Sequence, residues 1–153
     1  MRFLDTTQLN GIESLSEQNK LWKKMCIECK KAYEQIRHKL PPDFCLEYEK
    51  CFFHDYIVKA LSVEELNNNS YNVILILQNS DNMFSVKYCD VVSMNINLNI
   101  GASLLHARDV LESEIFSYKG DYINHEFTIS GDDTCGRVHI IFRKLFFTQI
   151  FNC

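Results

Sequence analysis

The stretch SLSEQNKLWKKMCIECKKAYEQIRHKLPP, residues 14–42, decides the fold of this chain. It opens with a capping box from Ser14 to Glu17, in which the serine hydroxyl accepts a hydrogen bond from an early helical N–H group. Apolar side chains then recur every three or four residues, which places them on one face of a helix. They are Trp22, Met25, Cys26, Cys29, Tyr33, Ile36 and Leu40. Pro41 and Pro42 predict the end of that helix, because proline disfavours helical geometry in the residue before it and supplies no N–H group.

The rest of the chain is dominated by strand patterns. A short helix is predicted first, from Asp43 as its N-terminal cap to about Lys50. β-branched and aromatic residues then alternate with polar ones, and clusters of Asn, Ser, Gly and Asp between them predict turns. The predicted strands are residues 56–61, 71–77, 84–89 with a continuation at 94–98, 122–130, 137–142 and 144–151. Residues 104–116 carry apolar side chains at roughly helical spacing and predict a short helix before the last hairpin.

Helices first and strands after, without regular alternation, predict an α+β domain. We expect an N-terminal amphipathic helix packed on a curved antiparallel sheet of about five to six strands. The length of 153 residues fits a single domain over residues 1–153. Because short β-rich domains leave strand edges unpaired, a homodimer joined through a sheet edge is a further expectation.

The composition argues against two classes of partner. The net charge is −4 and the basic residues are scattered, whereas nucleic-acid binding needs dense positive charge, so we expect no nucleic-acid partner. No apolar run approaches the roughly 20 residues that cross a bilayer, so we expect no membrane partner. The seven cysteines are odd in number and no export signal is present, which predicts reduced thiols and a cytoplasmic location.

Several short motifs, taken in order, resemble a known family. They are Trp22, Leu40-Pro41, His54-Asp55, His125-Glu126, Gly131-Asp132 and Ile140-Ile141-Phe142. Over most of the chain their order is similar to that in a bacterial family of uncharacterised small α+β proteins, a domain of unknown function. Some members look like proteins encoded near toxins, so the resemblance implies an immunity-like or accessory role, with no established activity. The turn at 133–135 is longer than the family pattern.

Cys26 and Cys29 form a CxxC pair, a spacing that occurs in redox and zinc sites. A redox pair lies at a helix N-terminus after a strand, whereas this pair lies inside the predicted helix. As zinc ligands the two thiols would need further partners, for which Cys45 and Cys51 are candidates. Both cysteines also fall on the apolar face of the helix, and free cysteine is often buried, so core packing is the favoured interpretation.

The His54-Asp55 pair invites comparison with metal-dependent phosphohydrolases, in which such a pair acts with further His and Asp ligands. The other histidines are His38, His106, His125 and His139, and three of them fall in strand or loop sequence. The favoured interpretation of the pair is structural, because unpaired backbone groups at a helix-to-strand junction need partners.

The remaining polar motifs predict no catalytic chemistry. His125 and Glu126 lie in a predicted strand, so their side chains point to opposite faces and cannot act as one acid–base unit. Asp121, Asp132 and Asp133 lack the alternate spacing of a calcium loop. The chain contains no glycine-rich phosphate loop, nucleophile elbow or HExxH sequence.

These observations predict no catalytic residue, no cofactor and no bound metal. We expect a non-enzymatic protein-binding domain, of the immunity or accessory type, whose partner is another protein. The alternative is a metal-dependent hydrolase that uses His54 and Asp55. Cys26 and Cys29 are the other candidate metal ligands.

Overall fold

The long predicted helix is present as α1, which spans Leu15–Ile36. The computed structural model describes residues 3–4, 6–66, 70–80, 82–98, 109–131 and 134–150. Ser14 is the N-cap of α1, and its hydroxyl oxygen accepts from the backbone N–H of Glu17 at 3.4 Å. The buried side chains of α1 are Met25, Cys29, Tyr33 and Ile36, with Trp22 and Cys26 half-buried beside them. The predicted cap and the predicted apolar face are therefore confirmed.

The two prolines act differently from the prediction. The helix α1 ends at Ile36 and is followed by a 3-10 turn, so it ends before Leu40. The second helix, α2, spans Pro42–Cys51, with Pro42 in the first turn, where its missing N–H would have no partner within the helix. The predicted cap at Asp43 is wrong, because the helix begins one residue earlier and Asp43 lies in its first turn.

In the described part of the chain, eight strands form one antiparallel sheet, not the predicted five to six. Their order across the sheet is β4-β7-β6-β5-β1-β2-β3-β8. The strands are β1 (Ile57–Leu66), β2 (Ser70–Asn79), β3 (Asn82–Val91), β4 (Ser93–Leu98), β5 (Asp109–Ser117), β6 (Ile123–Gly131), β7 (Thr134–Phe142) and β8 (Lys144–Ile150). The predicted fold class, helices with a single antiparallel sheet, is confirmed.

Two pairs of consecutive strands, β3 with β4 and β7 with β8, connect the two ends of this sheet. Strands β3 and β4 are separated by one residue, as are β7 and β8. The backbone N–H of Val92 donates to the carbonyl of Ile141 at 3.0 Å, and that of Arg143 donates to the carbonyl of Cys89 at 3.1 Å, so the β4–β7 and β3–β8 ladders are bridged. The two end strands, β4 and β8, are therefore direct continuations of β3 and β7, so the sheet curves back on itself.

The predicted short helix over residues 104–116 is wrong in its described part, because Asp109–Ser117 is strand β5. Residues 99–108, including His106, lie outside the described residues. Strand β5 pairs with β6 from Asp109 to Ser117. Both faces of β5 are covered, so Ile115 and Phe116 are both buried and the alternation that marks a half-exposed strand is lost.

The main core lies between α2 and the concave side of the sheet. Phe44, Tyr48 and Phe53 are almost completely buried there. Tyr33 and Ile36 of α1 join this core, while Met25 and Cys29 form a second cluster with Leu4. The helix α1 lies against β5. No helix in the described part of the chain is both long enough and apolar enough to span a bilayer.

Candidate functional site

An apolar cleft with a volume of about 150 Å³ lies where α1, the turn after α2 and strand β5 meet. Its lining residues come from four separate parts of the sequence: Leu4, Trp22, Cys26, Cys29, Lys30, Cys51, Phe52, His54, Leu111, Glu112 and Ser113. Most of these side chains are apolar or thiol groups. A cavity of this size with apolar walls can hold a benzene ring. The cleft therefore has room for one aromatic or large aliphatic group.

Helix α1 contributes Trp22, Cys26 and Cys29, which recur at helical spacing and so share one face. Burial, together with the charge of Glu114, raises the pKa of the Cys29 thiol to about 12. Burial, followed by the charge of Glu112, also raises the pKa of Cys26. Thiols with raised pKa values stay protonated at neutral pH and are weak nucleophiles, so these two act as apolar wall groups.

The turn between α2 and β1 forms the opposite wall, and its backbone is strained. Phe52, Phe53 and Asp55 all have left-handed φ values, of 53°, 59° and 66°. Each such residue with a side chain costs roughly 1–2 kcal/mol. The turn is held in place by the backbone N–H of Asp55, which donates to the carbonyl of Val110 on β5 at 2.9 Å. Strained backbone of this kind is often found beside functional sites.

The predicted metal ligands are only partly brought together. Cys26, Cys29, Cys51 and His54 all line the cleft, whereas Cys45 is buried in the main core, where its thiol lies 3.7 Å from the carbonyl of Arg37. Within the described ranges, no group of three or more His, Cys, Asp or Glu side chains is arranged to hold a metal ion.

The His54-Asp55 pair lies at the rim of the cleft, immediately before Tyr56 and strand β1. The imidazole Nδ1 of His54 is 2.9 Å from Asp55 Oδ2, and the two side chains are 55% and 81% exposed. His54 lines the cleft, while the Asp55 carboxylate extends into solvent. The predicted structural role, in which one of the two side chains bonds the backbone at the junction, is not what links this turn to β5: the bond to Val110 comes from the backbone N–H of Asp55, and the Asp55 carboxylate lies against the His54 ring.

A buried chain of polar side chains lies behind the cleft. Tyr88 Oη is 2.8 Å from His125 Nδ1, and His125 Nε2 is 2.8 Å from Ser113 Oγ. Ser113 Oγ in turn donates to Tyr48 Oη at 3.3 Å, and Tyr48 Oη donates to the backbone carbonyl of Ser113 at 3.2 Å. With the imidazole proton on Nε2, every group in the chain has a partner.

This arrangement makes His125 a structural residue. Burial lowers its pKa to about 3, so the ring is neutral at pH 7. Because the Ser113 hydroxyl donates to Tyr48, its proton is directed away from the imidazole, unlike that of a nucleophilic serine. Glu126 lies on the opposite face of β6, so the prediction that His125 and Glu126 do not act together is confirmed.

Sequence reasoning found the α1 wall of the cleft but missed the β5 wall. Trp22, Cys26 and Cys29 were found because they recur at helical spacing. Leu111 and Ser113 carry no such signal, since they lie in the segment whose strand was mistaken for a helix. The turn at Asp132 and Asp133 lies outside the described residues.

No protein-family model matches this chain, and no curated protein is significantly similar to it.

Proposed function

We propose that this protein is a non-enzymatic protein-binding domain, of the immunity or accessory type, that binds one other protein. The partner inserts a single aromatic or large aliphatic side chain into the apolar cleft between α1 and β5. The observation that carries the proposal is the volume of the cleft, about 150 Å³, combined with its largely apolar walls.

The size of the cleft favours a protein side chain over a cofactor. Sites for drug-sized ligands and cofactors usually have volumes of about 300–1,000 Å³ and several convergent polar groups. This cleft is smaller, and its thiols at Cys26 and Cys29 are protonated and apolar in character. Protein interfaces, in contrast, concentrate their binding energy in a few anchor side chains that fill small desolvated pockets.

The rim of the cleft provides the polar surroundings that an anchor pocket needs. Lys30 and His54 are exposed at the rim, and Glu112 is half-buried there. Leu111 is 38% exposed and extends the apolar surface beyond the opening. Burying one large apolar side chain contributes about 1.5–3 kcal/mol, equivalent to roughly 10- to 150-fold in affinity. The rest of the interface must supply the remaining affinity.

The test uses the protein encoded by the neighbouring gene as the partner. Trp22 is the only tryptophan of this chain and lines the cleft. After the fluorescence of the partner alone has been subtracted, the Trp22 emission therefore reports directly on filling of the cleft. We expect a dissociation constant below about 1 µM, accompanied by a change in Trp22 emission. Isothermal titration calorimetry gives the affinity independently of fluorescence.

A matched pair of variants locates the binding site. Leu111→Asp places a charge at the mouth of the cleft and should weaken binding by at least about tenfold. Ile27→Asp is the control, because Ile27 is 55% exposed on α1 and does not line the cleft. Binding that is equally affected by both variants, or absent in the unmodified protein, would contradict the proposal.

A further inference from the structure

A second cleft, with a volume of about 420 Å³, lies on the face of β4, β7 and β6 that points away from the core. It shares no lining residue with the apolar cleft and is lined mainly by polar side chains. Its volume falls in the range of about 300–1,000 Å³ that is typical of small-molecule sites.

The strand register arranges these polar side chains in two parallel rows. In the first row, His139 of β7 pairs with Asn95 of β4 on one side and with Glu126 of β6 on the other. In the second, Arg137 pairs with Asn97 and Thr128. Directly opposite side chains have Cβ atoms about 4.5–5.5 Å apart, so each row forms a short line of donors and acceptors across three strands.

Four of these side chains are available to a ligand. Among the described residues, the side chains of Asn95, Asn97, Arg137 and His139 have no hydrogen-bond or ion-pair partner. Arg137 and both asparagines are exposed, and His139 is half-buried. Arg137, the one permanently charged cation among the described residues that line the cleft, is therefore exposed to solvent and not paired with another side chain.

Glu126 and Arg137 are diagonal neighbours on β6 and β7, since Glu126 is opposite His139 and Arg137 is two residues before His139. Diagonal neighbours are about 7–8 Å apart. A guanidinium binds a carboxylate through two parallel hydrogen bonds. The carboxylate of Glu126 has about four lone-pair positions, so it can accept from an ammonium group in addition to its other contacts.

We propose that this cleft binds a small zwitterion of the amino acid or dipeptide class. The carboxylate of the ligand lies on Arg137 and its ammonium group lies on Glu126. In a dipeptide, the amides of Asn95 and Asn97 and the ring of His139 also bind the peptide group between the two charges. A simple anion fits less well, because Glu126 repels it, and a doubly charged phosphate is repelled more strongly. A simple cation is repelled by Arg137 for the same reason.

The test is a titration of the full chain with glycylglycine and with L-alanine, followed by ¹H–¹⁵N NMR. Sodium acetate and methylammonium chloride serve as single-charge comparators. We expect saturable shifts in β4, β6 and β7 with at least one zwitterion, and binding at least about tenfold weaker for either comparator. No saturable shift with either zwitterion, or equal affinity for acetate, would overturn the proposal.

Variants test the two charges separately. Arg137→Gln and Glu126→Gln should each weaken binding of the zwitterion by at least about tenfold, because each removes one charge-assisted contact. Lys59→Gln, at an exposed position of β1 that does not line the cleft, is the control and should leave binding unchanged. Arg137 is exposed, so its replacement should not disturb folding, and unchanged affinity in Arg137→Gln sinks the proposal.

Discussion

His125 Nε2 lies 2.8 Å from Ser113 Oγ, which joins β5 to β6 inside the main core. Tyr88 reaches the other ring nitrogen from β3. Three strands and, through Tyr48, helix α2 are thus connected by one neutral imidazole. Such buried polar chains stabilise a fold when every member has a partner and destabilise it when one partner is lost.

The first prediction concerns pH. The pKa of His125 is lowered from 6.5 to about 3 by burial, so the unfolded chain takes up a proton below pH 6.5 that the folded chain does not. Stability is therefore fully present above pH 6.5 and falls as the pH decreases towards 3. We expect the free energy of unfolding to decrease by roughly 2 kcal/mol between about pH 7 and pH 5, from this residue alone.

Urea denaturation at several pH values measures this loss. The control is His38→Gln, which removes an exposed histidine and should keep the pH dependence. His125→Gln should abolish most of it, whatever its effect on stability at pH 7. A pH dependence that is the same in His125→Gln as in the unmodified protein would show that another group is responsible.

The second prediction concerns the donor to His125. Tyr88→Phe removes the hydroxyl that lies 2.8 Å from His125 Nδ1 and leaves a buried ring nitrogen without its partner. The free energy of unfolding should fall by about 1–3 kcal/mol. Tyr118→Phe is the matched control, because Tyr118 is 43% exposed, and its stability should be unchanged. Equal stability of the two variants would argue that the buried chain contributes little.

The third prediction concerns the strained turn at the cleft. Asp55 has a left-handed backbone with φ of 66°, which asparagine tolerates well and alanine does not. We expect Asp55→Ala to lower the free energy of unfolding by about 1–2 kcal/mol and Asp55→Asn to leave it nearly unchanged. Thermal and urea unfolding of the two variants provide the comparison. If alanine and asparagine proved equivalent, the turn would not depend on its backbone conformation.

The fourth prediction separates the protein-binding proposal from a metal-dependent hydrolase. Elemental analysis of the purified protein should find no zinc, manganese or iron near one equivalent, since a protein-binding domain needs none. The hydrolase hypothesis requires the opposite result, and it also requires that His54→Ala releases the metal. Stoichiometric metal that is lost in His54→Ala but kept in His38→Ala would favour the enzyme.

The fold was predictable where one local pattern pointed to one structure. Ser14 and the apolar residues from Met25 to Ile36 gave the start and the buried face of α1 correctly, because capping and helical spacing depend only on neighbours along the chain. The antiparallel strands β1 to β3 and the β6–β7 hairpin were also predicted in outline, and β8 was predicted as a final strand, although it pairs with β3 and not with β7. The strand β5 was not, because α1 and the main core cover its two faces and remove the alternation of buried and exposed residues.

The candidate site was predictable on one side only. Cys26, Cys29 and His54 were predicted as candidate metal ligands, but their spacing along the chain did not indicate that they line the same cleft. A further wall comes from Leu111 and Ser113 of β5, more than eighty residues after Cys29 in the sequence. The polar cleft had no local signal at all, because its two rows depend on the register of three strands.

Local chemistry along the chain was thus enough to specify one amphipathic helix, a strand-rich remainder and a fold class. Long-range pairing decided the rest: the number and order of the strands, the neutral state of His125 and the two clefts. The physical reason is that helical spacing and turn formation act over a few residues, whereas burial and strand register depend on which distant segments meet.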